Sequence, residues 1–297
     1  MKKLTRTHVA LEGVENLPET SAVFACNSTH KMDWFFFQEL FMNLGLRAPI
    51  ISKGKNWHEP MARFGCRFLD ALPMVSKGYI LSVDLKSLLG ERPSEEVYRA
   101  VRGYVDRGEE LSEDDEVYAK ILSTPRDVLG ARFEPSQVSY REFVQELYFR
   151  FQNEHLLRMT RDLVRENQSI HIYPQGTVSS RLSQGRIGAV ELAIAMDLPL
   201  VPMGLSGAPD VFRDKELPIL KGGEVVMRIG EPLYVSDVVD VPSDFRPFHP
   251  EDERRYRELL QEVTDVLMER INALLEPEYQ WAADRESDGK QGVKRFI

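Results

Sequence analysis

Residues 169–206 read SIHIYPQGTVSSRLSQGRIGAVELAIAMDLPLVPMGLS, and this stretch decides the fold class. Ile170-His171-Ile172-Tyr173 is short, β-branched and aromatic, and stops at Pro174, whose missing N–H cannot continue a ladder. The spacing therefore predicts a strand ending at Pro174. Gly176 permits a backbone conformation closed to other residues, and Thr177, Ser179 and Ser180 offer hydroxyls beside backbone N–H groups, a set suited to a phosphate or another oxyanion. Arg181 and Arg186 supply positive charge. From Gly188 to Met196 the apolar positions recur at helical spacing, and Leu200-Val201-Pro202-Met203-Gly204 reads as a buried strand. The unit is β-turn-α-β. On physics alone it is either a ligand-holding turn or a plain structural crossover.

Working outward, Ser21-Ala22-Val23-Phe24-Ala25-Cys26 predicts a second short strand, and residues 1–20 before it read as a polar lead-in. Asn27, Ser28 and Thr29 are loop and cap types. Met32, Phe35, Phe36, Leu40 and Met42 then give a helix, with Ser28 or Thr29 expected as its cap. In that frame His30 and Asp33 share one face of the first turn, where a carboxylate can orient an imidazole. The alternative is that Asp33 complements the helix dipole and His30 is a cap residue.

The blocks Tyr173-Pro174-Gln175-Gly176-Thr177, Gly188-Ala189-Val190-Glu191-Leu192-Ala193 and Leu198-Pro199-Leu200-Val201-Pro202-Met203 resemble, in order and spacing, those of the glycerolipid acyltransferases. That is the family of bacterial lysophosphatidic acid and glycerol-3-phosphate acyltransferases. The family's acid is here Gln175, and its Arg two residues past the Gly is here Val178. Its first block, an Asn-His pair followed by four residues and an Asp, aligns through Asp33, so that Asn27 falls on the Asn and Ser28 on the catalytic His. Either His30 serves from a shifted position or the base has been replaced. A serine there is no base near neutral pH and would need its own activating base to act as a nucleophile. Lys53, after a strand over 48–53, resembles the family's post-strand lysine; after Leu69 to Val75, a third expected strand, Ser76 and Lys77 stand where the family has a basic residue.

What the resemblance implies is an α/β fold, a central mixed, mostly parallel sheet flanked by helices. The family-like part spans residues 1–77 and 151–276, with a helical insertion at 78–150, a lid or a dimerisation element, and a flexible tail at 277–297. The implied activity is O-acyl transfer of the 1-acylglycerol-3-phosphate type, moving a fatty acyl group from an acyl-CoA or acyl-carrier-protein thioester to the hydroxyl of a glycerophosphate or lysophospholipid. His30, Asp33 and Ser28 are the catalytic candidates; Lys53, Gln175, Gly176, Thr177, Arg181 and Arg186 are the substrate-binding ones. Neither a metal nor a cofactor is called for. A degenerate scaffold that binds a lipid, acyl carrier or protein without turnover is the alternative.

Composition sets the outer limits. The 297 residues, 42% of them hydrophobic, suffice for a substantial core. No apolar run approaches the roughly 20 residues that cross a bilayer, so the expectation is a cytoplasmic chain with peripheral contact at the inner face of a membrane. Trp34, Phe35, Phe36 and Phe37 are candidates for an acyl groove, with core burial expected for at least two of them. Two cysteines without metal-ligand spacing exclude a disulfide framework, and a net charge of −9 argues against a general nucleic-acid binder. The segments over 97–105 and 143–151 predict amphipathic helices, 154–167 a further helix, 224–230 a late strand and 251–275 a long terminal helix.

Overall fold

The computed structural model describes residues 7–57, 60–112, 115–212 and 221–288. Its described residues divide into two compact units, one within 7–51 and 159–288 and the other within 52–158.

The first unit is built on strands β1 (Thr7–Glu12), β2 (Val23–Cys26), β7 (Ile170–Ile172), β8 (Leu200–Ser206) and β9 (Gly223–Ile229) in the order β1-β9-β8-β2-β7. β2 runs parallel to both β7 and β8, β1 runs parallel to β9, and only the β8–β9 pair is antiparallel. The sheet is mixed and mostly parallel, as expected. Every residue of β2, β7 and β8 is buried, which is why these strands read as continuous apolar runs rather than alternations. The helix Asp33–Asn43 covers one face, packing Phe36, Phe37, Leu40 and Phe41 against Phe24, Cys26, Val201 and Met203. Two of the four consecutive aromatics are therefore core, as expected; Trp34 and Phe35 are half-buried. Helices Gly188–Met196 and Arg257–Ala273 cover the other face. There Gly204 is required, because a Cβ at that position would lie 2.8 Å from the Leu274 Cβ.

Three local expectations are corrected. The polar lead-in contains β1, an edge strand in register with β9 from Thr7↔Gly223 to Glu12↔Arg228. The terminal helix is two helices, Pro250–Arg255 and Arg257–Ala273, separated at Tyr256 by a backbone of φ −109° and ψ 19°. The 154–167 segment begins as a π-helical stretch, Gln152–Leu157, that runs into Arg158–Arg165.

The second unit contains β3 (Ile51–Lys53) paired with β4 (Leu72–Met74), and a hairpin of β5 (Arg126–Val128) and β6 (Ala131–Phe133). Helices Lys77–Leu89, Glu95–Arg107 and Tyr140–Phe151 enclose a separate core of Ile80, Leu81, Leu85, Val101, Val105, Phe133 and Val144. Their starts are capped by Ser76, Ser94 and Ser139, the last in a reciprocal capping box with Glu142. Within this core Arg126 holds Asp84 through two hydrogen bonds of 2.7 Å, and the Tyr140 hydroxyl donates to the same carboxylate at 2.5 Å.

Candidate active site

β2 and β7 are adjacent and parallel, with Val23↔Ile170 and Ala25↔Ile172 in register. Their C-terminal ends therefore open at one level, and the turns that follow, 27–32 and 173–187, lie side by side. The crevice outside the carboxyl ends of parallel strands is where open α/β sheets place ligands. Asn27 fixes the first turn to β8: its Nδ2 donates to the Leu205 carbonyl at 2.9 Å, and its Oδ1 accepts the Leu205 N–H at 2.7 Å.

The two turns are tied directly. The Ser28 N–H donates to Gln175 Oε1 at 3.1 Å, the Ser28 carbonyl accepts the Ser179 N–H at 2.9 Å, and Gln175 Nε2 donates to Ser183 Oγ at 3.0 Å. Ser28 and Gln175 are both buried. Each of these bonds satisfies a group that would otherwise be desolvated without a partner.

His30 and Asp33 meet in a different way from the one expected. The helix begins at Asp33 itself, with Met32 at the cap position, so His30 lies in the preceding turn. Asp33 Oδ2 accepts the backbone N–H of Thr29 at 2.5 Å and of His30 at 2.8 Å. The carboxylate thus grips the backbone that carries the imidazole. The ring is 5% exposed and its Nδ1 accepts the Met32 N–H at 3.2 Å. It stacks on Phe212 with centroids 4.6 Å apart and planes inclined by 13°. Burial, and secondarily the Asp33 charge, push the Cys26 thiol well above its usual range; the same two causes, with a smaller contribution from Cys26, push up the Tyr173 phenol.

Gly176 has φ 66° and gives room to Arg186: a Cβ there would lie 2.9 Å from the Arg186 Nε, which donates to the Gln175 carbonyl at 3.4 Å. Thr177 is half-buried beside it. Arg181 points elsewhere. Its guanidinium donates to the Gln280 carbonyl at 3.2 Å and the Pro277 carbonyl at 3.0 Å. Lys53 is exposed at the end of β3 and belongs to the other unit. The candidates thus divide: Ser28, His30, Asp33, Gln175, Gly176, Thr177 and Arg186 stand on the two adjoining turns, whereas Arg181 and Lys53 are placed by other parts of the chain.

Two further groups were not found from sequence. Phe212 supplies the surface on which the His30 ring lies, and the 277–288 segment is bonded to the 179–184 loop through Leu182–Tyr279, Gln184–Arg285 and Ser179–Asp288 contacts. Both contacts join positions far apart in the chain, and no local pattern encodes them. Among the described residues no three His, Cys, Asp or Glu side chains gather as a metal site would need, and no helix is long and apolar enough to cross a membrane.

No protein-family model matches the chain. A 1-acyl-sn-glycerol-3-phosphate acyltransferase of Bacillus subtilis (strain 168) is 32% identical over 112 residues, which are 38% of this chain and 47% of that protein. The chain thus spans about half the length of the curated relative it matches. Among solved structures, the 1-acyl-sn-glycerophosphate (LPA) acyltransferase PlsC from Thermotoga maritima aligns with 90% of this chain and 73% of its own, at 16% identity and a TM-score of 0.43, a likeness too loose to carry an argument. By its sequence, and over that 112-residue segment, the chain is glycerolipid acyltransferase-like.

Proposed function

We propose that this chain is an O-acyltransferase that moves a fatty acyl group from an acyl-CoA or acyl-carrier-protein thioester to the hydroxyl of a glycerophosphate or lysophospholipid. One observation carries the reading. A buried histidine, 5% exposed, sits on a turn gripped by Asp33, and that turn is bonded to the Gly176 turn at the carboxyl end of two parallel strands. The 112-residue likeness to a 1-acyl-sn-glycerol-3-phosphate acyltransferase supports the same chemistry.

In this mechanism His30 takes the proton of the acceptor hydroxyl as the oxygen attacks the thioester carbonyl carbon. The carbonyl oxygen becomes an oxyanion that backbone N–H groups of the two turns stabilise. The C–S bond then breaks, the new ester forms, and the imidazolium gives its proton to the departing sulfur, which leaves as the thiol and restores neutral His30. Arg186 and the Gly176-Thr177 turn hold the acceptor's phosphate. Asp33 works as a positioning residue, through the backbone of Thr29 and His30. Because the acylated product and a lysophospholipid acceptor are lipids, the chain docks peripherally on a membrane, at its cytoplasmic face.

A second reading draws on the Met32 N–H that His30 Nδ1 accepts at 3.2 Å. That bond fixes the neutral ring with its proton on Nε2, so the base role requires the proton to move to Nδ1 and the Met32 contact to break, at about 1 kcal/mol. A scaffold that binds without turnover needs no such step.

The test is acyl transfer from a labelled long-chain acyl-CoA or acyl carrier protein to glycerol 3-phosphate and lysophospholipid acceptors, comparing the parent chain with His30→Ala and Ser28→His. Activity in the parent that falls by about 10²–10⁴-fold in His30→Ala is the expected result. A silent parent with activity gained in Ser28→His would establish the scaffold instead.

A further inference from the structure

Tyr279 bonds to elements on both sides of the candidate site. Its carbonyl accepts the Leu182 N–H at 2.9 Å, on the loop that follows the Gly176 turn. Its hydroxyl donates to Asp210 Oδ2 at 3.1 Å, in the short helix Ala208–Val211 that follows β8. Two residues beyond Asp210, Phe212 stacks on the His30 ring at 4.6 Å and packs against Phe36 at 5.5 Å. The Glu276 N–H donates to Ser206 Oγ at 3.0 Å, which brings the segment before Tyr279 to the end of β8. Tyr279 is 7% exposed; burial first, and then the Asp210 charge, push its phenol up to about 12, so it remains a donor through the neutral range.

We propose that Tyr279 is a positioning residue for His30, acting through Asp210 and Phe212. A single turn of helix does not hold its place alone. The turn Ala208–Val211 runs straight into Phe212, so whatever fixes Asp210 also fixes the plane on which the imidazole lies. Tyr279 fixes it through the hydroxyl and holds the Leu182 loop through the main chain, so one residue sets the two sides of the site relative to each other. Misplacing a reacting group by about 1 Å costs on the order of 10²-fold in rate, so a contact this far from the chemistry still counts. Asp210 is otherwise exposed, so water satisfies its carboxylate when the bond is lost, and the chain still folds. The inference rests on the reading of His30 as the base, but the placement of the ring is measurable without turnover.

The experiment compares the full chain with Tyr279→Phe, Asp210→Ala and Asp210→Asn. Tyr279→Phe removes the hydroxyl and leaves the main-chain bond to Leu182 in place. One arm follows the imidazole signals by NMR on isotope-labelled protein, with those of His30 assigned by their loss in His30→Ala. Stacking on Phe212 shields the His30 ring protons, so their signals should move downfield in Tyr279→Phe and Asp210→Ala. Asp210→Asn, whose amide oxygen can still accept the hydroxyl, should keep the parent's His30 signals. The His171 signals, from the core of the same unit, should stay in place throughout. The other arm measures acyl transfer, where Tyr279→Phe is expected to lower kcat about tenfold with the KM for the acceptor nearly unchanged. His30 signals unmoved in both Tyr279→Phe and Asp210→Ala would overturn the proposal, whatever happens to kcat. So would an Asp210→Asn variant that moves as far as Asp210→Ala, or His30 and His171 signals that move together. A parent without turnover would remove the acyl-transfer reading and leave the ring signals to decide this one.

Discussion

Gln175 accepts the Ser28 N–H through its side-chain Oε1 at 3.1 Å and donates its Nε2 to Ser183 Oγ at 3.0 Å, so one buried amide joins the turns after β2 and β7. A side chain expected to touch substrate is a strut between the two halves of the candidate site. Replacing it by Leu keeps the volume and strands an amide N–H and a hydroxyl, each at about 1–3 kcal/mol. Gln175→Leu is therefore expected to lose about 2–4 kcal/mol by urea denaturation. An unchanged midpoint would mean that water replaces both bonds and that the strut is dispensable.

His171 lies on β7 at 0% exposure, against Phe37, Phe41 and Tyr173, with Gln38 Nε2 3.5 Å from its Nδ1. Burial pulls its pKa down from the usual 6.5 to about 3. The sign follows from proton counting: between those values the unfolded chain binds a proton that the folded chain refuses. Stability from this group is complete above pH 6.5 and falls, at up to ~1.4 kcal/mol per pH unit, as pH drops toward 3. His171→Phe should flatten that part of the profile. Parallel profiles for parent and variant between pH 6 and pH 4, in roughly matched buffers, would show that His171 is protonated in the fold.

Phe212 holds the His30 ring from one side at a centroid separation of 4.6 Å. Phe212→Leu keeps an apolar side chain at the position, costs under about 1.5 kcal/mol, and removes the flat surface. If His30 is the base, loss of its orientation should lower kcat by about 10–100-fold and leave KM for the acceptor nearly unchanged. A rise in KM at constant kcat would instead place Phe212 against the substrate.

How much of this was legible depends on how local the cause is. The strands over 170–172 and 200–206 and the helix over 188–196 were readable because buried parallel strands and a helix between them leave continuous apolar runs bounded by Pro174, Gly188 and Pro199. β1 was missed because Thr7–Glu12 is a half-exposed edge whose partner, β9, lies two hundred residues on. The start of the helix at Asp33 was misplaced because capping rules look for a side chain at Ser28 or Thr29, whereas Asp33 reaches back to two amides and shapes the turn itself. In the candidate site, residue types point to the two adjoining turns, whereas the hydrogen-bond partners of Gln175 and Arg181 are set by tertiary contacts. Arg181 is a residue type that suits a phosphate, but its hydrogen bonds to Pro277 and Gln280 are set by a segment with no sequence signal of docking.

The second unit offers a test free of the site. Asp84 is buried at 1% side-chain exposure and holds Arg126, itself 10% exposed, by two bonds of 2.7 Å, while the guanidinium lies 4.9 Å from the ring centroids of both Phe133 and Tyr140. Removing one ion leaves the other buried without its counter-charge, which costs about 3–5 kcal/mol, whereas removing both costs much less. Arg126→Met alone should therefore destabilise strongly, and Arg126→Met combined with Asp84→Leu should recover most of the loss. Tyr140 decides how complete the recovery is, because its hydroxyl donates to Asp84 at 2.5 Å and would be left buried in the double variant. Adding Tyr140→Phe to the pair should then restore a further ~1 kcal/mol. Chemical denaturation of the parent, Arg126→Met, Asp84→Leu and their double variant forms the cycle, with the triple variant measured beside it; a double-variant loss equal to the sum of the two single losses would mean that Asp84 and Arg126 contribute independently and that the pair is not coupled.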